Sequence, residues 1–317
     1  MSRILLVLAL LLLIRPSLAQ DAAKLSAVRP PACSEAMVTC EDYDAIVFVH
    51  GIYGDATTFV NPDTKFDWPR EMPATFRTRK VDVFRLNYET RLFAWLRQAG
   101  PKFDEVVLSM HDALKPLRTR NYRSIGFVAH SLGGNVVPAY ITYVTLKLSH
   151  PGSSQHAYVI TLATPVLGSQ LADLGTEIKR ALGFSADPLL ESLKQDNQLL
   201  RMLLAFRKAE GGKKELFGCR PISLHAAFEE KQVGPFLVVS PDSAALSVAG
   251  LTSSQIVGFP FDHFAIVKPS DKQHRVYQWV NQRIDDEFVR LSAWEKAVAL
   301  HPPLRRLCTD IDRKPEA

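Results

Sequence analysis

Ser124-Ile125-Gly126-Phe127-Val128-Ala129-His130-Ser131-Leu132-Gly133-Gly134-Asn135-Val136-Val137 is the stretch on which the reading of this chain turns. An apolar run short enough for one buried strand ends at Ala129, a tight bend carries Ser131, and apolar residues then recur at helical spacing to Leu148. Strand, bend and helix in that order form an elbow. A nucleophile on such an elbow sits on strained backbone, with the following helix packed close to the strand, and needs small residues two before and two after it. Ala129 and Gly133 meet that need, with Ala standing where Gly is usual. Ser131 then projects above the sheet edge at a helix N-terminus, where free N–H groups favour developing negative charge.

Working outward, strands alternate with helices. Tyr43–Val49, Val81–Tyr88, the elbow strand, Ala157–Ala163, Ile222–Phe228, Pro235–Ser240 and Ser254–Phe259 read as strands. Phe103–Leu117, the helix after the elbow and a closing helix over Gln273–Leu291 read as helices. Near-continuous apolar strands separated by helices predict an α/β fold, a mainly parallel sheet covered on both faces. At 317 residues, nearly half of them apolar, one such domain spanning 42–317 is expected. Within it, Gly168–Glu215 carries leucines at helical intervals between strands and is either a helical cap over the site or a set of ordinary covering helices.

Met1–Ala19 has a basic start, a Leu-rich run too short to span a bilayer comfortably, and Ser17-Leu18-Ala19 before Gln20, which predicts an export signal cleaved after Ala19. Residues 20–41 have no clear period and read as a leader over the domain surface. An even set of four cysteines in an exported chain predicts two disulfides, with Cys33 to Cys40 and Cys219 to Cys308 the pairing put forward. Their spacing matches no zinc site, so neither metal nor cofactor is expected. Formal charge falls from +5 to +3 once Arg3 and Arg15 leave with the signal. With no basic cluster interleaved with aromatics, nucleic acid is not an expected partner, whereas weak, transient contact with an anionic membrane surface stays open.

Tyr43–Val49 runs into His50-Gly51-Ile52-Tyr53-Gly54-Asp55, and such a strand end frees backbone amides at the edge where open α/β sheets place their ligands. The N–H groups of Ile52 and Leu132 are the expected oxyanion hole, and His50 is read as a supporting residue rather than a base. His263 follows the last strand. A serine, then a carboxylate, then a histidine is the order in which one family of serine hydrolases presents its triad. Glu229, which closes Ile222–Phe228, and Asp242, which follows Phe236–Val239, compete for the acid, with Glu229 preferred and Glu230 a weaker third. The remaining histidines considered, His111, His130, His150, His156, His225 and His274, are read as lying in helical or surface contexts.

The chain resembles the α/β-hydrolases, and within them the lipase-like branch of serine-active-site-containing proteins and GPI inositol-deacylases. The resemblance is carried by Val49-His50-Gly51, Ala129-His130-Ser131-Leu132-Gly133-Gly134, Leu162-Ala163-Thr164-Pro165 with Gly168-Ser169, Phe228-Glu229, Val238-Val239 with Ser243-Ala244, and Asp262-His263 followed by Val267-Lys268-Pro269. It spans roughly Ile46 to Tyr277. It implies a hydrolase of carboxylic esters, of lipid or acyl type, working through an acyl-enzyme on Ser131 and His263, with an acyltransferase or amidase on the same triad as alternatives. A non-catalytic exported binding protein of the same fold is the competing class. It calls for loss of the nucleophile, the base or the oxyanion glycine, and all three are present.

Overall fold

The computed structural model of the chain describes residues 23–33, 39–52, 54–76, 78–88, 103–144, 155–164, 222–232 and 256–301. The export signal, the insertion 168–215, the strand expected at 235–240, Asp242, Cys219 and Cys308 lie outside the described residues.

The strands are β1 (Lys24–Ala27), β2 (Asp44–Val49), β3 (Val81–Asn87), β4 (Ser124–His130), β5 (His156–Leu162), β6 (Ser223–Glu229) and β7 (Ile256–Phe259). The helices are α1 (Trp68–Glu71), α2 (Phe103–Ala113), α3 (Lys115–Thr119), α4 (Gly133–Tyr143) and α5 (Arg275–Leu300). Among the described residues the strands form one seven-stranded sheet in the order β1-β3-β2-β4-β5-β6-β7. Every neighbouring pair is parallel except β1 with β3.

Every residue of β2, β4 and β5 is buried, as a parallel sheet covered on both faces requires. Alternate residues feed two cores. Ala45, Val47, Val49, Phe127 and Ala129 face α2, α3 and α4, whereas Ile46, Phe48, Val128, Ile160 and Leu162 face α1 and α5. The inner helix α4 is buried on all sides over Gly133–Thr142, which is why its sequence is apolar without a polar face.

Two elements differ from the expected boundaries. Within the leader, Lys24–Ala27 forms an antiparallel edge strand on β3, with Leu25 opposite Leu86. Four residues are too few to display an alternation, and the strand exists because β3 offers it a partner. The closing helix runs on to Leu300, beyond the expected end at Leu291. Leu291 is the last residue that α5 fully buries, and beyond it Trp294 and Val298, half-buried at i+3 and i+7, continue the apolar face through turns of good helix-forming residues. Among the described residues, no helix is long and apolar enough to cross a membrane.

Candidate active site

Ser131 occupies the turn between β4 and α4 with φ of 50°, a left-handed conformation that a residue with a Cβ adopts at a cost of about 1–3 kcal/mol. Neighbouring backbone holds it there. Its N–H donates to Leu162 C=O of β5 at 2.9 Å, and its own C=O accepts from Thr164 Oγ1 at 3.0 Å. The helix start can approach the sheet this closely because Gly133 has no side chain. A Cβ there would lie 2.4 Å from the His50 carbonyl oxygen.

Glu229 is the last residue of β6, and His263 follows β7, so strand order alone brings both to the same edge as Ser131. His263 Nε2 is 3.0 Å from Ser131 Oγ, and His263 Nδ1 is 3.1 Å from Glu229 Oε1. All three residues are buried. Asp262, beside the histidine, acts on the backbone instead. Its Oδ1 accepts from the N–H groups of Phe264 and Ala265, at 2.9 and 2.8 Å, and starts the 3-10 turn Ala265–Val267. Glu229 accepts from Nδ1–H, so Nε2 is the nitrogen left to take a proton from the serine.

The end of β2 lies directly against Ser131. A Cβ on Gly51 would sit 2.6 Å from Ser131 Cβ and 3.2 Å from its Oγ, so only glycine permits this approach. The loop beyond it is held by His50 and Tyr88, whose rings stack at 4.5 Å with 7° between their planes. Tyr88 N–H donates to His50 Nε2 at 3.3 Å, so the ring hydrogen is on Nδ1, which donates to Gly51 C=O at 2.9 Å. Gly54 N–H reaches the same carbonyl at 3.1 Å. Because N–H and C=O of a trans peptide point opposite ways, fixing Gly51 C=O aims Ile52 N–H away from His50. Among the described residues, neither Ile52 N–H nor Leu132 N–H has an acceptor, which leaves both available to an oxyanion. Burial, offset in part by the Gly51 hydrogen bond and the Asp55 charge, lowers the His50 pKa to about 4, and the ring is neutral at neutral pH.

Residues 41–182, from β2 through the elbow helix and β5, match the family described as "Putative serine esterase (DUF676)". Among solved structures, an inhibited esterase B from Lactobacillus rhamnosis is 12% identical, with 89% of this chain and 91% of that one covered and a TM-score of 0.52. Phospholipase PlaB from Legionella pneumophila is 13% identical, with 78% and 62% covered and a TM-score of 0.52. The chain has the α/β-hydrolase fold. No curated protein matches it.

Of the residues put forward from the sequence, the structure brings Ser131, His263 and Glu229 into contact and leaves the N–H groups of Ile52 and Leu132 without an acceptor among the described residues, while Asp242 lies outside the described residues. Glu230 is exposed and bonds through its backbone to Phe259. Among the described residues, no group of three or more His, Cys, Asp or Glu side chains could hold a metal ion.

Three histidines depart from the contexts read for them. His130, His156 and His225 are buried members of β4, β5 and β6. His156 Nε2 meets Tyr140 Oη at 3.1 Å, and His225 Nε2 meets Glu287 Oε1 at 2.8 Å. A strand buried on both faces has no polar alternation to reveal which of its polar residues point inward, so partners on α4 and α5 make these positions tolerable. Tyr88, which holds the loop after β2, carries no motif of its own in the sequence, and Thr164, which holds the elbow, enters the sequence reading only within Leu162-Ala163-Thr164-Pro165, with no role of its own.

Proposed function

We propose that the protein is a serine hydrolase of carboxylic esters that works through an acyl-enzyme. The observation that carries this reading is the continuous relay from Ser131 Oγ through His263 to Glu229 on a strained elbow. Ser131 Oγ attacks the ester carbonyl while His263 Nε2 accepts its proton, and the resulting tetrahedral oxyanion is received by the N–H groups of Ile52 and Leu132. Glu229 stabilises the imidazolium that forms. His263 returns the proton to the departing alcohol, and water, activated by the same nitrogen, then releases the acid and restores Ser131.

Esters of lipid or acyl type are the substrate class proposed, in line with the esterase family that the elbow half matches. We further propose that the chain is exported after cleavage following Ala19, and the Cys33–Cys40 disulfide supports that reading, because such bonds persist in oxidising compartments.

The mature protein should react with a fluorophosphonate probe at Ser131 and hydrolyse p-nitrophenyl esters, and Ser131→Ala should escape labelling and lose most of the hydrolysis. Equal labelling of wild type and Ser131→Ala would sink the assignment. Rates with esters of graded chain length then define the acyl class, since each buried methylene contributes up to about 0.8 kcal/mol.

A further inference from the structure

His130 is the last residue of β4 and immediately precedes Ser131. Its side chain is buried, and its Nε2 lies 2.9 Å from the main-chain carbonyl oxygen of His263. The two rings are 4.9 Å apart between centroids and tilted by 46°. A carbonyl oxygen can only accept, so His130 Nε2 carries a hydrogen and donates it. Among the described residues, this is the hydrogen bond that the His263 carbonyl receives.

His263 is not part of a strand. It lies in the short loop between β7 and the turn Ala265–Val267, where Asp262 fixes the two residues that follow it and leaves its own peptide to other partners. The elbow supplies that partner. Two consecutive residues, His130 and Ser131, hold His263 at its carbonyl oxygen and at its ring Nε2, and Glu229 holds Nδ1 from the far side.

We propose that His130 is a positioning residue that ties the main chain of His263 to the nucleophile elbow, so that the distance from nucleophile to base is set within the elbow and not by the loop after β7. The proposal rests on His263 acting as the base. A reacting pair displaced by a fraction of an ångström loses rate with little change in substrate binding, so the expected loss falls on kcat. His130 can do this without opposing the chemistry. Burial, and then repulsion from a charged His263, keep its pKa well below the usual histidine value, so no second cation stands beside the imidazolium that forms.

The test separates the hydrogen bond from the bulk of the ring. The amide nitrogen of Gln can occupy the place of a histidine Nε2, whereas that of Asn falls short of it. His130→Asn should lower kcat about tenfold or more, with KM within about twofold of wild type, and His130→Gln should recover most of the loss. Wild-type kcat in a folded His130→Asn, or equal losses in folded Asn and Gln variants, would overturn the proposal. A measurement on the wild type stands apart from the folding of either variant. In histidine-labelled protein, 15N NMR at neutral pH should show His130 as the neutral Nε2–H tautomer, and an Nδ1–H tautomer would overturn the proposal, because Nε2 would then have no hydrogen to give. A fluorophosphonate probe that fails to label the wild type would remove the proposed function and this inference with it, whereas a labelled wild type beside an undiminished His130→Asn removes the inference alone.

Discussion

A carboxylate facing His263 Nδ1 stabilises the imidazolium, and an amide of the same shape does not. Glu229→Gln should therefore fold as wild type and lose about three to four orders of magnitude in kcat, measured with a p-nitrophenyl ester beside a thermal melt. A folded variant with wild-type kcat would remove Glu229 from the relay. His50 provides a second test at this scale, on stability. Burial holds its folded pKa at about 4, below the ordinary 6.5, so the unfolded chain takes up the proton first as pH falls. The contribution is fully present above about pH 6.5 and is lost as pH falls towards 4, where the loss amounts to roughly 3 kcal/mol. His50→Asn keeps a donor for Gly51 and has no such titration. Urea unfolding at pH 7 and pH 4.5 should show a larger acid loss for wild type than for His50→Asn, and equal losses would place the acid sensitivity elsewhere.

Among the elements, α5 is tied to the sheet by polar groups as well as by its apolar face. Glu287 Oε1 meets His225 Nε2 of β6, and Glu287 Oε2 accepts from Arg290 Nε at 2.6 Å. Arg290 Nη2 goes on to Ala157 C=O of β5 at 2.9 Å. Burial alone would raise the Glu287 pKa, but His225 and Arg290 outweigh it and hold it below the ordinary 4.5. His225 lies on the strand that ends in Glu229, so the same clamp helps to hold that strand. Removing one partner of a buried ion pair leaves the other uncompensated, and Glu287→Gln should cost about 3 kcal/mol at pH 7. The deficit should shrink as pH falls below 4.5, because the wild-type carboxylate then protonates as well. At temperatures well below both melting points kcat should not change; a large fall in kcat at unchanged stability would contradict this account.

Across the whole molecule, the disulfide and the active site sit at opposite edges of the sheet. Cys33 and Cys40 are joined and buried. Their loop is anchored at the strand starts: Asp82 Oδ2 of β3 accepts from Cys33 N–H at 3.0 Å and from Tyr122 Oη at 2.9 Å, and Arg120 C=O, ahead of β4, accepts from Cys40 N–H at 2.7 Å. Ser131, Glu229 and His263 lie at the strand ends. Replacing both cysteines by Ala opens a loop with a sequence separation of 7 and should lower stability by about 2 kcal/mol, while the rate of fluorophosphonate labelling stays at the wild-type value. Labelling slowed tenfold in the folded double variant would mean that the two edges are coupled.

The sequence by itself determined what depends on neighbours along the chain. The bend at Ser131 needs Ala129 and Gly133 beside it, the Tyr43–Val49 run needs a glycine where it meets the elbow, and fully apolar strands between helices need a parallel sheet with two covered faces. Those requirements are written within a few residues and survive without any knowledge of distant partners. Tertiary structure decided what depends on which strand lies beside which. Glu229 and Asp242 each end an apolar run, and only the placing of β6 next to β7 sets Glu229 at 3.1 Å from His263. His130 and Tyr88 carry no local mark of their contacts, because the groups they hold are 133 and 38 residues away along the chain. The four-residue strand β1 is legible only on β3, since a strand that short takes its conformation from the edge it joins rather than from its own side chains.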